Sequence, residues 1–569
     1  MKFLIKKIYI ILFLLTILLM GSKLFAKESK VRYSKEDISS YFSGIISANQ
    51  SNNDKAFDYL KKTKSLKNKH SRFNSEYIRT LILIEKFEQA FAFSKNVWVN
   101  DEFIFEADLL FGLSYFINED YINAEKHFKR LNKISEYNIF YSDFIGNVLT
   151  AWSKASQGDK EESFKLIEKT PHQIKKIQNI FLQCYFSDHQ TKKSFEKLVN
   201  DKSYNFSRYN FFLANYLLFN NKIKEAETVI TNSRKEYNSN LLIKQTENFL
   251  LNNKNKEIKN FFNCKNPNDS LAEFFYIIAN LYASEKDYKL SNFYIKLSIF
   301  LNNKFLPNKT LLAENYYYQK KENLSKNIYQ SLKSIGPVYS WHASRSIAVI
   351  LLDLKGKKYS VSSLENEFNL LTNPNFEHYY ELANFYKDNE YYGKSIKYYS
   401  LALNEIKKDH SLVSKILDRR GTSFERMGDW ENAEKDLIKS LEILPDQAHV
   451  LNYLAYSWID QGIKVEEGLE MLKKAVQLRA NDGYIIDSLG WAYYAKKNYT
   501  EAEFFLQRAV ELLPEDPIIN DHYADALWRL NKNIQARYVW KYVLKLDNTE
   551  QKLKDTISKK LIFGIAKKL

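Results

Sequence analysis

The chain has 569 residues, with 84 Lys and Arg against 68 Asp and Glu, and a formal net charge of +16. Its 45% hydrophobic content, including 15% aromatic residues, excludes wholesale disorder. Only 8 Pro and 15 Gly occur, which excludes long flexible linkers.

The first element is not globular. Lys2, Lys6 and Lys7 precede an apolar run from Ile8 to Met20, followed by Gly21, Ser22, Lys23, Leu24, Phe25 and Ala26. A basic start, a short apolar run and a small residue at its end make a secretory signal peptide over 1–26, with cleavage expected after Ala26. The run is short for a membrane span of about 20 residues. Leu24 fits a cleavage site poorly, so an uncleaved inner-membrane anchor facing the periplasm is the alternative. No Cys follows the run, which excludes a lipoprotein anchor. Loss of Lys2, Lys6, Lys7 and Lys23 would lower the net charge from +16 to +12.

From residue 27 onward a spacing takes over. Gly44, Ile78 and Gly112 lie 34 apart, each followed twelve residues later by Ala56, Ala90 and Ala124. Residues 140–200 and 235–265 fit only as degenerate units around the pair Ala214 and Ala226. Ala279, Ala313, Ala348 and Ala383 then continue at 34, 35 and 35, each with a Ser twelve residues later: Ser291, Ser325, Ser360 and Ser395. After a step of 38 come Gly421, Ala455, Gly490 and Ala524, with Ala433, Gly468, Ala502 and Ala536 as partners. Two small residues per unit of about 34 is what stacked helical hairpins need, because only Gly, Ala or Ser lets two helices cross closely. One hairpin cannot bury its apolar face alone, so neighbours must stack. The count is about fifteen hairpins, and no segment alternates with period two.

The loops agree with this register. Glu119-Asp120, Gly158-Asp159, Asn389-Glu390 and Gly428-Asp429 fall at hairpin turns, where Gly, Asn and Asp are favoured. Pro337, Pro374, Pro445 and Pro514 lie at unit boundaries, where a helix stops. The tail places Leu553, Ile557, Leu561, Ile565 and Leu569 four apart between lysines, a basic amphipathic helix that would cap the last repeat. Peripheral contact with anionic lipid is its second reading.

The segment Asp487-Ser488-Leu489-Gly490-Trp491-Ala492-Tyr493-Tyr494, continuing through Asn498, Tyr499, Ala502, Leu506 and Ala509 to Pro514, resembles the tetratricopeptide repeat (TPR). The unit before Ala455 repeats the pattern with Gly421, Phe424, Ala433, Leu437, Ser440 and Pro445. The next has Ala455, Trp458, Gly468, Leu472 and Ala475, with Ala480 in place of the Pro. The resemblance implies an all-α, right-handed superhelical solenoid of stacked antiparallel hairpins. Its units would be divergent over 27–270, a TPR array over 271–548 that is clearest over 414–548, and a capping helix over 549–569. A bend is expected at the 38-residue step.

The resemblance also implies a non-catalytic scaffold whose first helices line a concave groove. Asn452, Tyr456, Asp487, Trp491, Tyr494, Asp521, Asp525, Trp528 and Arg529 would line it as an aromatic and acidic strip. Such a strip suits an extended peptide with apolar and basic side chains, and would repel a C-terminal carboxylate. The expected role is protein–protein interaction in envelope assembly, secretion or export. A carbohydrate-handling accessory that stacks glycan rings is the alternative. The sequence style looks bacterial, and the periplasm of a Gram-negative bacterium is the expected compartment.

Other chemistry finds no support. Neither a metalloprotease helix, a nucleophile elbow, a phosphate-binding Gly-rich loop nor a Cys-x-x-Cys occurs. The nine His are dispersed, His449 and His522 lie in separate repeats, and no cofactor or metal is expected. The lysines form no Arg-rich stripe, so nucleic acid is not an expected partner. Cys184 and Cys264 lie two repeats apart, too far in a linear stack for a disulfide, and are expected as separate thiols.

Overall fold

The computed structural model describes residues 33–63, 66, 70–98, 104–134, 142–201, 203, 205–234 and 240–565. The expected export segment therefore lies outside the described residues, as does Leu569. Among the described residues the chain is α-helical throughout, from Lys35–Asn49 to Gln551–Phe563. Taken two at a time, the helices make fifteen helix–turn–helix units with the last helix left over.

The turns explain the register. Glu119, Gly158, Glu390 and Gly428 each hold positive φ, at 62°, 86°, 62° and 80°. This single left-handed residue reverses the chain between paired helices. Asp159 and Asp429 then accept a hydrogen bond from the backbone N–H three residues on, which starts the second helix. Within a hairpin the small residues sit at the crossing. A Cβ on Gly490 would lie 2.6 Å from Leu506 Cγ, and one on Gly44 2.6 Å from Leu60 Cδ2. Two of the serines that replace Ala bond across the same crossing: Ser325 Oγ donates to Ala313 O at 2.7 Å, and Ser360 Oγ to Ala348 O.

Stability comes from neighbouring hairpins. Leu437 of one unit packs on Val450, Leu454 and Trp458 of the next, and Leu472 on Leu489 and Ala492 of the one after. Each such large side chain contributes roughly 1.5–3 kcal/mol on burial, so a unit without neighbours would lose most of its support. At the end of the array, Ile557 is fully buried. With Leu553, Leu561 and Ile565 it covers Ala524, Leu527, Ala536, Trp540 and Val543.

The chain divides into two compact units, residues 1–232 with 240–332, and residues 233–239 with 333–569. The 38-residue step does not mark the division. The second unit runs through it, and residues 406–411 absorb the extra length between helices Tyr392–Glu405 and Leu412–Arg426.

The first unit closes on itself. Gln319 Nε2 donates to Ser51 Oγ at 3.0 Å and Lys321 Nζ to Ser51 O, joining the turn of the last hairpin to that of the first. Lys289 Nζ reaches Glu76 at 2.8 Å, and the Phe87 and Phe300 rings stack at 4.3 Å.

This packing overturns the expectation of two separate thiols. Cys184 and Cys264 form a disulfide, with Cα atoms 5.9 Å apart. The units between them are not stacked in line. After the short helix Asn255–Phe261 the chain returns to helix His172–Tyr185, where Phe262 packs 5.2 Å from Phe181 and 4.7 Å from Phe212. Lys265 Nζ then donates to Tyr185 O at 2.7 Å.

Candidate functional site

In the second unit, Asp482 accepts from the N–H of Ile485 and starts helix Gly483–Ala495. Asp487, Trp491 and Tyr494 follow at intervals of four and three, and so share one face. Asp516, accepting from Ile518 and Ile519 ahead of Pro517, starts helix Pro517–Arg529 in the next hairpin. This brings a second set of side chains into the same register.

The two sets interlock. His522 Nδ1 lies 3.0 Å and 3.1 Å from the two carboxylate oxygens of Asp487. The Trp491 ring stacks on His522 at 4.1 Å and on Tyr494 at 4.6 Å. Arg529 Nε donates to Tyr494 Oη at 3.2 Å. The pairs Asp487–His522 and Tyr494–Arg529 are each 35 residues apart, one hairpin, as is the pair in which Arg419 Nη1 donates to Asn384 Oδ1.

Burial opposes a charge on His522, but Asp487, then Asp521 and Asp525, outweigh it and raise the imidazole's affinity for a proton. Burial pushes the Tyr456 phenol up to about 12, with Asp460 and Asp487 adding to the effect. Burial likewise raises Tyr494. Burial keeps the phenols on this face neutral, and the nearby carboxylates favour a proton on the His522 imidazole.

The other acids meet the terminal helix. Lys560 Nζ donates to both oxygens of Asp521, at 2.9 and 2.8 Å, and to both of Asp525, at 2.7 and 2.8 Å. Burial, and then the neighbouring Asp521, still raise the Asp525 carboxyl to about 6 against the pull of Lys560. Trp528 packs 5.4 Å from Trp540, with the Arg537 guanidinium 5.3 Å from its ring centre. Gly564 seats so closely on the Trp528 indole that no Cβ fits there.

The nine residues of the expected strip therefore fall into three groups. Asp487, Trp491, Tyr494 and Arg529 form one cluster, joined through His522. Asp521, Asp525 and Trp528 face the chain's own terminal helix. Asn452 and Tyr456 lie half-buried on the preceding helix Ala448–Asp460, where Asn452 Oδ1 is shielded from water without a hydrogen-bond partner. Sequence reasoning passed over His522 and Lys560. The signal was the repeat itself, since His522 follows Asp487, and Lys560 follows Asp525, by 35 residues.

Among the described residues no group of three or more His, Cys, Asp or Glu could hold a metal ion. None of the described helices is long and apolar enough to cross a membrane. A cleft of about 680 Å³, bordered by Asn52, Asp54, Glu85, Tyr316 and Lys320, lies in the first unit where its first and last turns meet.

The tetratricopeptide repeat model matches residues 485–516, from the first helix of this cluster to the cap of the next. The TPR repeat-containing protein PA4667 of Pseudomonas aeruginosa is 31% identical over 117 residues, 21% of this chain. The match spans 20% of that relative's own length. Among solved structures, the APC/C hetero-tetramer Cut9-Hcn1 is similar at 13% identity and TM-score 0.37, over 93% of this chain and 97% of that one. Yeast Tom70 is similar at 14% and 0.34, over 80% and 94%. MamA from Desulfovibrio magneticus RS-1 is similar at 16% and 0.28, over 32% and 99%.

Residues 485–516 match the tetratricopeptide repeat model, and the described residues form an all-α solenoid of stacked antiparallel hairpins. Solenoids of this class are non-catalytic scaffolds whose concave faces mediate protein–protein contact.

Proposed function

We propose that this protein is an interaction scaffold of the bacterial cell envelope, serving an assembly, secretion or export complex. In this reading the inner face around Tyr456, Trp491 and Tyr494 takes an extended segment of a partner protein. The observation that carries it is Lys560. The chain's own polypeptide already lays a basic side chain between Asp521 and Asp525 at the end of the same strip, with apolar residues beside it. A partner segment with basic and apolar side chains matches the chemistry of the adjoining face.

The basic, apolar and small residues of 1–26 and the Cys184–Cys264 bridge both support an oxidising compartment outside the cytoplasm.

The test is cross-linking in envelope preparations, followed by binding measurements with the recovered partner. Trp491→Ala should weaken it by roughly 2 kcal/mol or more, as loss of a buried aromatic anchor does. Parental affinity in a folded Trp491→Ala, Tyr456→Ala double variant would refute this face as the site. For the compartment, the N-terminal residue of protein from the periplasmic fraction should be Lys27, and a full-length chain in the membrane pellet would favour the anchor.

A further inference from the structure

The last hairpin and terminal helix carry a surface that the inner face does not explain. On helix Asn533–Val543, Ile534 and Tyr538 are 73% and 71% exposed, four residues apart and so on one stripe. At the end of helix Gln551–Phe563, Ile562 and Phe563 are 70% and 82% exposed. Arg537, next to Tyr538, donates to the carbonyl of Leu561, next to Ile562, which fastens the two stripes together. The apolar side chains needed for capping point the other way, so these four add nothing to the packed core.

The surroundings are basic. Lys541, Lys545, Lys552 and Lys559 are exposed, and none forms an ion pair among the described residues. With Lys554 they outnumber Asp547, Glu550 and Asp555. Four large apolar side chains without a groove, ringed by unpaired lysines, are poorly matched to an aqueous environment. They match an interface with apolar depth and a negatively charged surface.

We propose that this end of the molecule docks on the surface of an anionic phospholipid bilayer, with Ile562 and Phe563 entering the headgroup boundary and the lysines facing the phosphates. The surface is separate from the inner face, so this holds whatever that face binds. It would place the scaffold against a membrane through its C-terminal end.

The test uses the chain from Lys27 onward, which keeps every described helix and removes the apolar N-terminal run as a second source of lipid affinity. Co-sedimentation is measured with phosphatidylcholine vesicles and with vesicles that also contain phosphatidylglycerol. Binding should require phosphatidylglycerol and weaken as salt rises. Ile562→Ser with Phe563→Ser should reduce it at least about tenfold, and so should replacing Lys541, Lys545, Lys552 and Lys559 by Gln. Both sets change exposed positions, and circular dichroism confirms the fold. Equal binding by parent and variants, or no binding to either vesicle, overturns the proposal. A dimer in sedimentation that disappears in the Ile562→Ser, Phe563→Ser variant, without vesicle binding, overturns it in favour of a second copy of the chain.

Discussion

His522 of one hairpin holds the carboxylate of Asp487 on the hairpin before it, with Nδ1 3.0 Å from Oδ1 and the ring stacked on Trp491. Nearby carboxylates raise the imidazole above its ordinary 6.5 against the effect of burial. A group whose folded value is raised contributes stability that is complete below its unfolded value and is lost as pH rises through the folded value. The second unit should therefore melt at progressively lower temperature as pH climbs above 6.5. His522→Gln should flatten that slope, and an unchanged slope in heating curves would remove His522 as its source.

Gly490 has no room for a side chain, since its Cβ would also lie 3.1 Å from the backbone nitrogen of Leu506. Gly490→Leu should cost on the order of 1–3 kcal/mol or more through overpacking. Because hairpins share stability with their neighbours, hydrogen exchange should speed up across 448–543 together. A variant with parental denaturant midpoint would mean that the crossing can open without cost.

Lys560→Met removes the ammonium that reaches both Asp521 and Asp525 while keeping its length and apolar stem. Its side chain is only 17% exposed and those of the acids 11% and 8%, so solvent compensates little. The expected loss is about 3 kcal/mol, the lower end for breaking a buried pair. Amide protection over 551–563 should fall first. Adding Asp521→Asn and Asp525→Asn should recover part of the loss, and failure to do so would show that packing, not charge, holds the helix.

The Cys184–Cys264 bridge closes a loop of 80 residues inside the first unit. Restricting that loop in the unfolded chain is worth roughly 4.5 kcal/mol on the chain-entropy account. Reductant, or Cys264→Ser, should lower the melting transition of the first unit and leave that of the second in place. Coincident shifts of both transitions would contradict the division into two units.

What could be read from residues alone was whatever recurs at the repeat. The crossings at Gly44 and Gly490, the turns at Glu119 and Gly428, and the face shared by Asp487, Trp491 and Tyr494 are all local or one unit apart. A spacing of 34 says which hairpins are neighbours but not how a run of them curls. The approach of Lys289 to Glu76 and of Cys264 to Cys184 depends on small rotations summed over many units, and no single residue encodes it. The site was partly legible for a related reason. Residue type and helical spacing place Asp521, Asp525 and Trp528 on the inner face, but only packing shows that the terminal helix lies over them. Likewise Asp487 shares the helical face of Trp491 and Tyr494, and only packing shows that His522 of the next hairpin holds its carboxylate.

The meeting of Ser51 with Gln319 and Lys321 fixes how the two units can change in evolution. An open array tolerates duplication or loss of a hairpin, because each new unit needs only its neighbours. Between Phe376 and Val543 the second unit has that freedom. In the first unit, one hairpin more or fewer would carry Gln319 away from Ser51, Lys289 away from Glu76 and Phe300 away from Phe87 in a single event. Its length is therefore locked, and its sequence is free to drift from the repeat pattern so long as the two ends still meet.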